Sequence, residues 1–229
     1  MPANKNVFVS KHPLVADKMT KLRCKDTDSV AFRRLLKEIT FYLGFEATAS
    51  LSLKQKVVTT PMDMEFKGDS VHQKVAIIPI LRAGLGMAEG LMELLPMAAV
   101  HHIGMYRAKG SLMPIQYYNR LPRDEACDVA YVVDPCIATS NTLCAVVSIC
   151  KKWGAKKVIV IAAIAAQDGI NTLKAKHPDV EMFIGTLDAK LSEDGQILPG
   201  IGDAGDRQFG YSEEVEEVEG GSPAKRARA

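Results

Sequence analysis

Short apolar runs alternate with stretches of helical periodicity through the middle of this chain. The runs are VAIIPI at 75–80, VAYVVDP at 129–135 and VIVIAAIAA at 158–166. Unbroken apolar runs are typical of strands buried on both faces, and strands that alternate with helices predict a parallel sheet. We therefore expect an α/β fold with a mostly parallel central sheet flanked by helices. Ligands of such sheets bind beyond the carboxyl ends of the strands, so the residues after each run are the first candidates for a site.

A helix is predicted before the first of these runs, from Asp28 to Gly44. Its apolar residues recur at the spacing of one helix face. They are Phe32, Leu35, Leu36, Ile39 and Leu43. Asp28 or Ser29 is expected to cap the start of this helix, and Gly44 is expected to end it.

Two segments are predicted to project from the core. Residues 51–68 alternate in polarity and carry a proline, which predicts a β-hairpin or arm that makes a subunit contact. Residues 105–124 are polar, basic and interrupted by proline. A structureless loop of this length usually has a functional reason to exist, so we predict a mobile lid there.

Composition indicates one domain at 1–211, followed by a disordered acidic-then-basic tail at 212–229. With 47% hydrophobic residues, the chain has enough apolar material for a large core. The tail has a glutamate run, then Gly-Gly-Ser-Pro, then basic residues, and almost nothing to bury. A solvated tail is favoured over a localisation or partner signal in Lys225, Arg226 and Arg228.

Charge and cysteine usage narrow the expected partners and compartment. A formal net charge of +2 is too small to predict a nucleic-acid or membrane partner. The five cysteines include no C-x-x-C pair, so neither a disulfide framework nor a thiolate zinc site is indicated. The amino terminus lacks the apolar stretch of a signal peptide, and the longest apolar run is too short to cross a bilayer. We expect a cytoplasmic protein.

The first candidate for binding chemistry is LRAGLG, from Leu81 to Gly86. It follows a predicted strand and precedes a helix that is expected to begin near Met87. A glycine-bearing turn at a helix start offers backbone N–H groups to an anion, and Arg82 adds a cation, so pyrophosphate would suit it. An ordinary strand-to-helix turn with a surface arginine explains the pattern equally well.

The second candidate is VVDPCIATSNT, from Val132 to Thr142, where an apolar strand runs through Asp134 into a predicted helix. Residues 138–142 are small or carry hydroxyl or amide groups, which suits a terminal phosphate at a helix start. An ionised Asp134 only accepts hydrogen bonds and would suit a pair of ribose hydroxyls. The alternative is that Thr139 or Ser140 only caps the helix. Cys136 is interpreted as a small core residue.

The third candidate is ILPGIGDAGDRQFG, from Ile197 to Gly210, with four glycines and two aspartates. We expect it to form no regular structure and to expose its backbone. Backbone N–H and C=O groups can recognise a flat amide-bearing ring, because a wrong base leaves polar atoms unpaired. A glycine-rich surface loop is the alternative, and for this segment in isolation it is favoured.

Six short blocks follow one another along the chain. They are KHPLV at 11–15, PILRAGLGM at 79–87, GMYR at 104–107, VVDPCIAT at 132–139, HPDVE at 177–181 and PGIGDAGD at 199–206. Together they resemble the uracil phosphoribosyltransferases of the type I phosphoribosyltransferase superfamily. The resemblance runs from about residue 6 to 211. It implies a type I phosphoribosyltransferase-like fold with a β-arm and a small base-binding hood, and synthesis of uridine monophosphate and pyrophosphate from uracil and phosphoribosyl pyrophosphate.

The resemblance also implies roles for individual residues. Arg82 and Arg107 would contact the pyrophosphate, and Arg107 and Asp203 would be catalytic. The residues implied to bind phosphoribosyl pyrophosphate further include Asp134, Ala138, Thr139, Ser140, Asn141, Thr142 and Asp203. Those implied to hold uracil are Ile197, Gly202, Asp203 and Ala204. Mg²⁺ would be held by the substrate pyrophosphate with Asp203, and a homodimer or higher homo-oligomer with a nucleotide effector such as GTP is expected.

Four positions depart from the family pattern. Ser140 and Asn141 stand where the family has two glycines, Gln196 where it usually has tyrosine, and Cys136 where it usually has methionine. If the glycine positions need φ > 0, a non-glycine residue there costs about 1–3 kcal/mol, and Asn141 tolerates it better than Ser140. The departures leave a second hypothesis open: a catalytically impaired relative that binds nucleotides or serves as a regulatory subunit. A transferase for another base is the third.

Overall fold

The structure is a computed structural model that describes residues 6–107 and 114–210. The predicted tail at 212–229 therefore lies outside the described residues. The helices are α1 (Pro13–Arg23), α2 (Ser29–Thr48), α3 (Leu85–Leu94), α4 (Asn141–Trp153), α5 (Gln167–Lys176) and α6 (Ala204–Phe209). The strands are β1 (Val7–Val9), β2 (Leu53–Thr59), β3 (Glu65–Val71), β4 (Val75–Leu81), β5 (Ala99–Val100), β6 (Ile103–Arg107), β7 (Pro114–Asn119), β8 (Val129–Val133), β9 (Cys136–Ile137), β10 (Lys157–Ala166), β11 (Glu181–Asp188), β12 (Lys190–Leu191) and β13 (Ile197–Leu198).

Among the described strands, nine form one sheet, whose main path runs β1-β11-β10-β8-β4-β6-β7. The short strands β5 and β9 pair with β4 and β10. Pairing is parallel throughout except between β6 and β7 at one edge. The three apolar runs form β4, β8 and β10, which are neighbours at the centre of the sheet. The predicted α/β fold is confirmed.

The centre of the sheet is covered on both faces, as its apolar runs require. In β8 every residue is buried, and successive side chains point to opposite faces. Tyr131 packs in a cluster with Phe32 of α2 and Met87 of α3. Val132 packs in a second cluster with Val147 of α4. Helices therefore pack on both faces of the sheet. The carboxyl ends of β4, β8 and β10 lie side by side at one edge, where ligands of parallel sheets bind.

The predicted helix at 28–44 forms as α2, with Asp28 as its cap. The Asp28 carboxylate accepts a hydrogen bond from the Ala31 N–H at 2.8 Å. The prediction that Gly44 ends the helix is wrong, because α2 continues to Thr48. Gly44 lies where α2 crosses α3, and a Cβ there would come within 2.4 Å of the Leu91 side chain. Close helix packing, not termination, requires this glycine. None of the described helices is both long and apolar enough to span a bilayer.

The predicted arm at 51–68 is confirmed as the hairpin of β2 and β3. Its antiparallel register runs from Leu53 opposite Val71 to Thr59 opposite Glu65. Every residue of β2 is exposed. The hairpin therefore projects from the core with apolar side chains in solvent.

The expectation that 105–124 lacks regular structure is wrong for the part that the structure describes, whereas the predicted mobility of this lid stays a prediction. β6 and β7 pair antiparallel, with Arg107 opposite Pro114. Residues 115–118 of β7 are an isoleucine, a glutamine and two tyrosines, and β-branched and aromatic side chains favour a strand. Pro114 is the first residue of its strand, where proline is tolerated. Residues 108–113 lie outside the described part of the chain.

Candidate active site

The first motif forms a tight turn between β4 and α3, as predicted. The Gly84 N–H donates to the carbonyl of Ile80 at 2.8 Å. A Cβ at Gly84 would lie 2.5 Å from the Val133 carbonyl, so the turn packs directly against the end of β8. The peptide bond between Leu81 and Arg82 is cis. The Arg82 guanidinium reaches the Asp206 carboxylate at 3.0 Å, which links this motif to the third.

The second motif leaves β8 at Asp134, forms β9 against β10 and enters α4 at Asn141. Ser140 occupies the N-cap position in the left-handed conformation, with φ of 65° and ψ of 6°. Within the described residues its side chain makes no capping hydrogen bond. Its hydroxyl instead donates to the carbonyl of Gly169 in α5 at 2.7 Å. Among the two departures from the double glycine, Ser140 takes the φ > 0 position, whereas Asn141 is helical.

The third motif is more regular than its glycines predicted. β13 and α6 form at its two ends, so the expectation of no regular structure is wrong. Asp203 caps α6, because one carboxylate oxygen, Oδ1, accepts from the Gly205 and Asp206 N–H groups at 2.8 and 2.9 Å. Gly200 bends the chain between the two elements with φ of 63°, and a Cβ there would lie 2.0 Å from the Ile197 carbonyl.

A buried ion pair holds this glycine loop in place. Arg23 at the end of α1 donates to both Asp188 oxygens, at 2.6 and 2.8 Å. Each partner also binds Gly200, whose N–H donates to Asp188 and whose carbonyl accepts from Arg23, at 2.8 and 2.9 Å. The Arg23 guanidinium holds the pKa of the Asp188 carboxyl below its ordinary value, although burial acts the other way. We call Arg23, Asp188 and Gly200 the loop clamp.

A second arginine ties the loop to α1. Arg207 donates to the carbonyls of Leu22, Ile201 and Cys24 at 2.6 to 2.8 Å. Its guanidinium also lies over the Phe32 ring, 4.4 Å from the centroid. The backbone at 200–201 is therefore fixed by two arginines, which suits a loop that recognises a ligand through backbone groups.

Two cavities open at the carboxyl edge of the sheet. The smaller one, of about 230 Å³, is lined by 194–197, 201–205 and residues at the ends of β4 and β8. We call it the base cavity, because the resemblance assigns several of these residues to uracil. Its volume is below the range of about 300–1,000 Å³ for drug-sized ligands, which fits a single small ring. Its neighbour, of about 400 Å³, is lined by 80–83 and by parts of β6, α4 and α6. We call it the phosphate cavity, because the resemblance assigns Arg82 to the pyrophosphate. The cavities share Ala83, Asp134, Asp203 and Gly205.

The structure brings most of the predicted site residues to these cavities. Ile197, Gly202, Asp203 and Ala204 line the base cavity. Arg82, Asp134, Thr142 and Asp203 line the phosphate cavity. Ala138 lines the base cavity, whereas Thr139, Ser140 and Asn141 line neither of the two. Arg107 is the last residue of β6, and its side chain lies outside the described part of the chain. Cys136 is half-buried and, like Gln196, lines the base cavity.

Sequence reasoning missed Arg23, Asp188 and Arg207. A signal for Asp188 was present, since it ends the apolar strand MFIGTLD just as Asp134 follows β8. A carboxylate at the carboxyl end of a parallel strand points to the site. Nothing in the sequence around Arg23 or Arg207 separates these arginines from solvated ones.

The acidic residues at the two cavities are few. Within residues 6–107 and 114–210, no group of three or more His, Cys, Asp or Glu is placed to hold a metal ion. Mg²⁺ commonly keeps several waters and is bound by one or two carboxylates together with substrate phosphates. Asp203, with both its capping bonds on Oδ1, and Asp134 are carboxylates that fit this mode of binding.

The sequence matches a known family over most of its length. The family model for uracil phosphoribosyltransferase matches residues 9–211. A uracil phosphoribosyltransferase of Dictyoglomus turgidum is 47% identical over 89% of this chain and 99% of its own. A uracil phosphoribosyltransferase of Roseiflexus castenholzii is 42% identical over 90% of this chain and 99% of its own.

Solved structures agree at the level of the fold. The AQ2163 protein from Aquifex aeolicus is 34% identical, with a TM-score of 0.85 over 90% of this chain and 99% of its own. An adenine phosphoribosyl transferase from Trypanosoma brucei, in complex with AMP, pyrophosphate and ribose-5-phosphate, has a TM-score of 0.55 at 14% identity, over 83% of this chain and 87% of its own. The second likeness concerns the fold alone.

Proposed function

Because the chain belongs to the uracil phosphoribosyltransferase family, we propose that it joins uracil to phosphoribosyl pyrophosphate and releases uridine monophosphate and pyrophosphate. The observation that carries this proposal is the pair of adjoining cavities, which share Asp134 and Asp203. A reaction between a flat base and an activated sugar needs two such spaces that meet at the reacting carbon. The catalytically impaired alternative is not favoured, because the match to enzymes of this name spans 89–90% of the chain.

In this proposal the phosphate cavity binds the activated sugar. Of the segment at 138–142, Thr142 lines this cavity. The segment's backbone N–H groups at the start of α4 are proposed to bind the 5-phosphate at the edge of the cavity, where the helix dipole favours an anion. Asp134 accepts hydrogen bonds from the ribose hydroxyls. Arg82, and by resemblance Arg107, bind the pyrophosphate.

The base cavity holds uracil against the loop at 200–204. Recognition by backbone groups requires that these groups be fixed before the base arrives, since mobile groups lose rotational freedom on binding. The loop clamp and Arg207 supply that rigidity. A base with a different donor and acceptor pattern leaves buried polar atoms unpaired, which is the physical basis of selectivity.

The chemistry is displacement at the anomeric carbon with inversion, through a transition state of oxocarbenium character. The bond from this carbon to the uracil nitrogen forms, the bond to the pyrophosphate oxygen breaks, and the proton on that nitrogen passes to the departing pyrophosphate. Negative charge grows on the departing pyrophosphate, and fixed cations in a closed site stabilise it most where it develops. Arg82 and Arg107 supply these cations, and Asp203, together with the substrate pyrophosphate, would hold Mg²⁺. When bound, Mg²⁺ supplies further neutralisation of the leaving group.

Turnover with a panel of bases tests the proposed substrate. Uracil, cytosine, hypoxanthine and orotate are each offered with phosphoribosyl pyrophosphate and Mg²⁺, and nucleotide formation is measured. We expect turnover with uracil and none that is comparable with the other three. Saturable turnover with cytosine or a purine in preference to uracil would show that Gln196 and Cys136 have changed the base specificity.

The arm supports a dimer or higher homo-oligomer. An isolated two-stranded hairpin is marginally stable in water, and this one exposes Val57, Met62, Met64 and Phe66 by 52 to 81%. An apolar cavity of about 380 Å³ lies at its base, lined by residues of α2, α3 and the arm. Exposed apolar surface of this kind marks a protein–protein contact. The proposed partner is a second copy of the chain, which carries the same arm and cavity, because a two-fold dimer pairs the same surface of both copies.

Charges at the tip of the arm are expected to dissociate this oligomer. Met62→Asp with Met64→Asp should shift the mass from light scattering to that of one chain, because both side chains are exposed and the monomer core does not need them. Lys54→Gln with Lys56→Gln, on the same hairpin, is the matched control and should leave the mass unchanged. Equal masses for all three proteins would remove the arm from the contact.

Two further proposals concern regulation and location. A cytoplasmic location is supported by the cysteines, none of which is in a disulfide within the described residues, as expected in a reducing compartment.

An effector nucleotide such as GTP is proposed on the family resemblance alone. Rate measurements at fixed substrate with increasing GTP test it, and an unchanged rate removes it.

A further inference from the structure

Ser140 has an unusual backbone for its residue type. Apart from Asp63, it is the one non-glycine residue with positive φ among the described residues. L side chains crowd the backbone in this conformation, which is why glycine favours it. The family pattern has glycine at this position, and this chain does not. A contact in the fold must therefore stabilise the left-handed conformation of Ser140, which glycine would adopt without such a contact.

The Ser140 hydroxyl provides that restraint. Ser140 is 5% exposed, and its Oγ donates to the Gly169 carbonyl at 2.7 Å. The acceptor lies in the first turn of α5, so the bond joins two segments that are 29 positions apart. Gly169 is buried, so a variant without the hydroxyl loses this link between the loop and α5.

The surrounding backbone leaves the loop little room to move. A Cβ at Gly169 would lie 2.0 Å from the Ala138 carbonyl, so α5 touches the loop at backbone distance. On the other side, a Cβ at Gly195 would lie 3.2 Å from the Thr139 side chain. The loop at 138–140 is thus held between α5 and the segment before β13.

We propose that Ser140 is a positioning residue for the phosphate loop and that its hydroxyl bond to Gly169 replaces the conformational freedom of glycine. The bond holds the left-handed turn that sets the N–H groups of 140–142 at the start of α4. Ser140 acts through these groups and its side chain does not contact the sugar phosphate, because the hydroxyl is turned toward α5. The inference rests on the proposed function, since that function assigns the 5-phosphate to this loop.

Three variants separate this role from a general contribution to stability. Ser140→Ala removes the hydroxyl but keeps the Cβ that disfavours positive φ. Ser140→Gly removes both the hydroxyl and the Cβ. The loop of this variant should therefore be less ordered than that of the native protein and more ordered than that of Ser140→Ala. Ser148→Ala is the matched control. The Ser148 hydroxyl also donates to a backbone carbonyl, that of Cys144 at 2.9 Å. Both residues lie inside α4, away from the loop.

The measurements are the dissociation constant for phosphoribosyl pyrophosphate by calorimetry and the steady-state constants. Ser140→Ala should weaken binding about tenfold, the loss expected when one bond to a buried carbonyl is unmade. The loss should fall on KM for phosphoribosyl pyrophosphate, with KM for uracil and kcat changed less than about twofold. Ser148→Ala should change none of these four constants.

Two results would overturn the inference. Native affinity in Ser140→Ala would show that the bond does not hold the loop. A large gain of affinity in Ser140→Gly would show that serine impairs the loop. Amide hydrogen exchange at 138–142, which Ser140→Ala should accelerate and Ser148→Ala should not, tests the bond without any ligand. Binding without turnover by the native protein would instead contradict the proposed function and leave the inference standing.

Discussion

Arg82→Ala is expected to lower kcat by about a hundredfold while the protein stays folded. Removal of one group that stabilises transition-state charge typically costs about 10²–10³ in kcat. Arg82 follows β4 and lines the phosphate cavity, and its guanidinium is oriented by Asp206 at 3.0 Å. Its side chain is 43% exposed, so the fold does not depend on it. Initial rates at saturating uracil and phosphoribosyl pyrophosphate measure the effect.

Two further variants make the Arg82 result specific. Arg82→Lys keeps the charge but lacks the planar fork that binds two phosphate oxygens, so it should recover part of the rate. Arg34→Ala removes an exposed arginine of α2, whose side chain is 80% exposed, and should match the native rate. A near-native rate for Arg82→Ala would remove Arg82 from the stabilisation of the leaving group.

Asp188→Asn is expected to weaken uracil binding and to destabilise the fold by about 2 kcal/mol, which is less than the cost of breaking a fully buried ion pair because the Arg23 side chain is partly exposed. Asp188 is 6% exposed and binds both Arg23 and the Gly200 N–H. An asparagine amide in its place would turn an N–H group toward either Arg23 or the Gly200 N–H, which are both donors. It would also leave the Arg23 guanidinium without its negative partner. KM for uracil should rise, while the dissociation constant for phosphoribosyl pyrophosphate changes little. Urea unfolding and steady-state kinetics give the two quantities.

The Asp188 contribution should also depend on pH with a definite sign. Its pKa is lowered in the folded state by Arg23 and Gly200, so the unfolded chain takes up the proton first as the pH falls. The native protein is therefore more stable than Asp188→Asn by the greatest amount when the pH is well above the ordinary aspartate pKa of about 3.9. It shrinks as the pH falls toward the lowered pKa of the folded state.

An exposed ion pair provides the control for Asp188. Asp17 pairs with Lys21 at 2.7 Å on α1, where both side chains are more than half exposed. Asp17→Asn should change neither the unfolding free energy nor KM for uracil measurably, since exposed pairs contribute little. If Asp188→Asn kept the native KM for uracil, the loop clamp would be a stabilising pair without a role in base binding.

The sequence predicted the parts of this fold that depend on local pattern. The unbroken runs that become β4, β8 and β10 are buried on both faces, and burial on both faces removes the polar alternation that would otherwise appear. The glycine turn at 81–86 and the polar segment at 134–142 follow two of these runs directly. Their place at the carboxyl edge of a parallel sheet follows from topology alone.

The remaining features depend on contacts between distant parts of the chain. Arg23 and Asp188 are 165 positions apart, and no local pattern records their pairing. Gly44 predicts a helix end because glycine is a poor helix former, whereas its contact with α3 decides the outcome. Asn141 is the better residue for positive φ by type, yet Ser140 takes that conformation because Gly169 offers it a buried acceptor.

The most direct test of the central claim is the release of uridine monophosphate and pyrophosphate by the purified protein. Labelled uracil is supplied with phosphoribosyl pyrophosphate and Mg²⁺, and both products are quantified over the same interval. We predict that the two products form in equal amounts and that neither forms when uracil or phosphoribosyl pyrophosphate is left out. Folded protein that binds phosphoribosyl pyrophosphate yet forms no uridine monophosphate would contradict the claim and favour a nucleotide-binding role without catalysis.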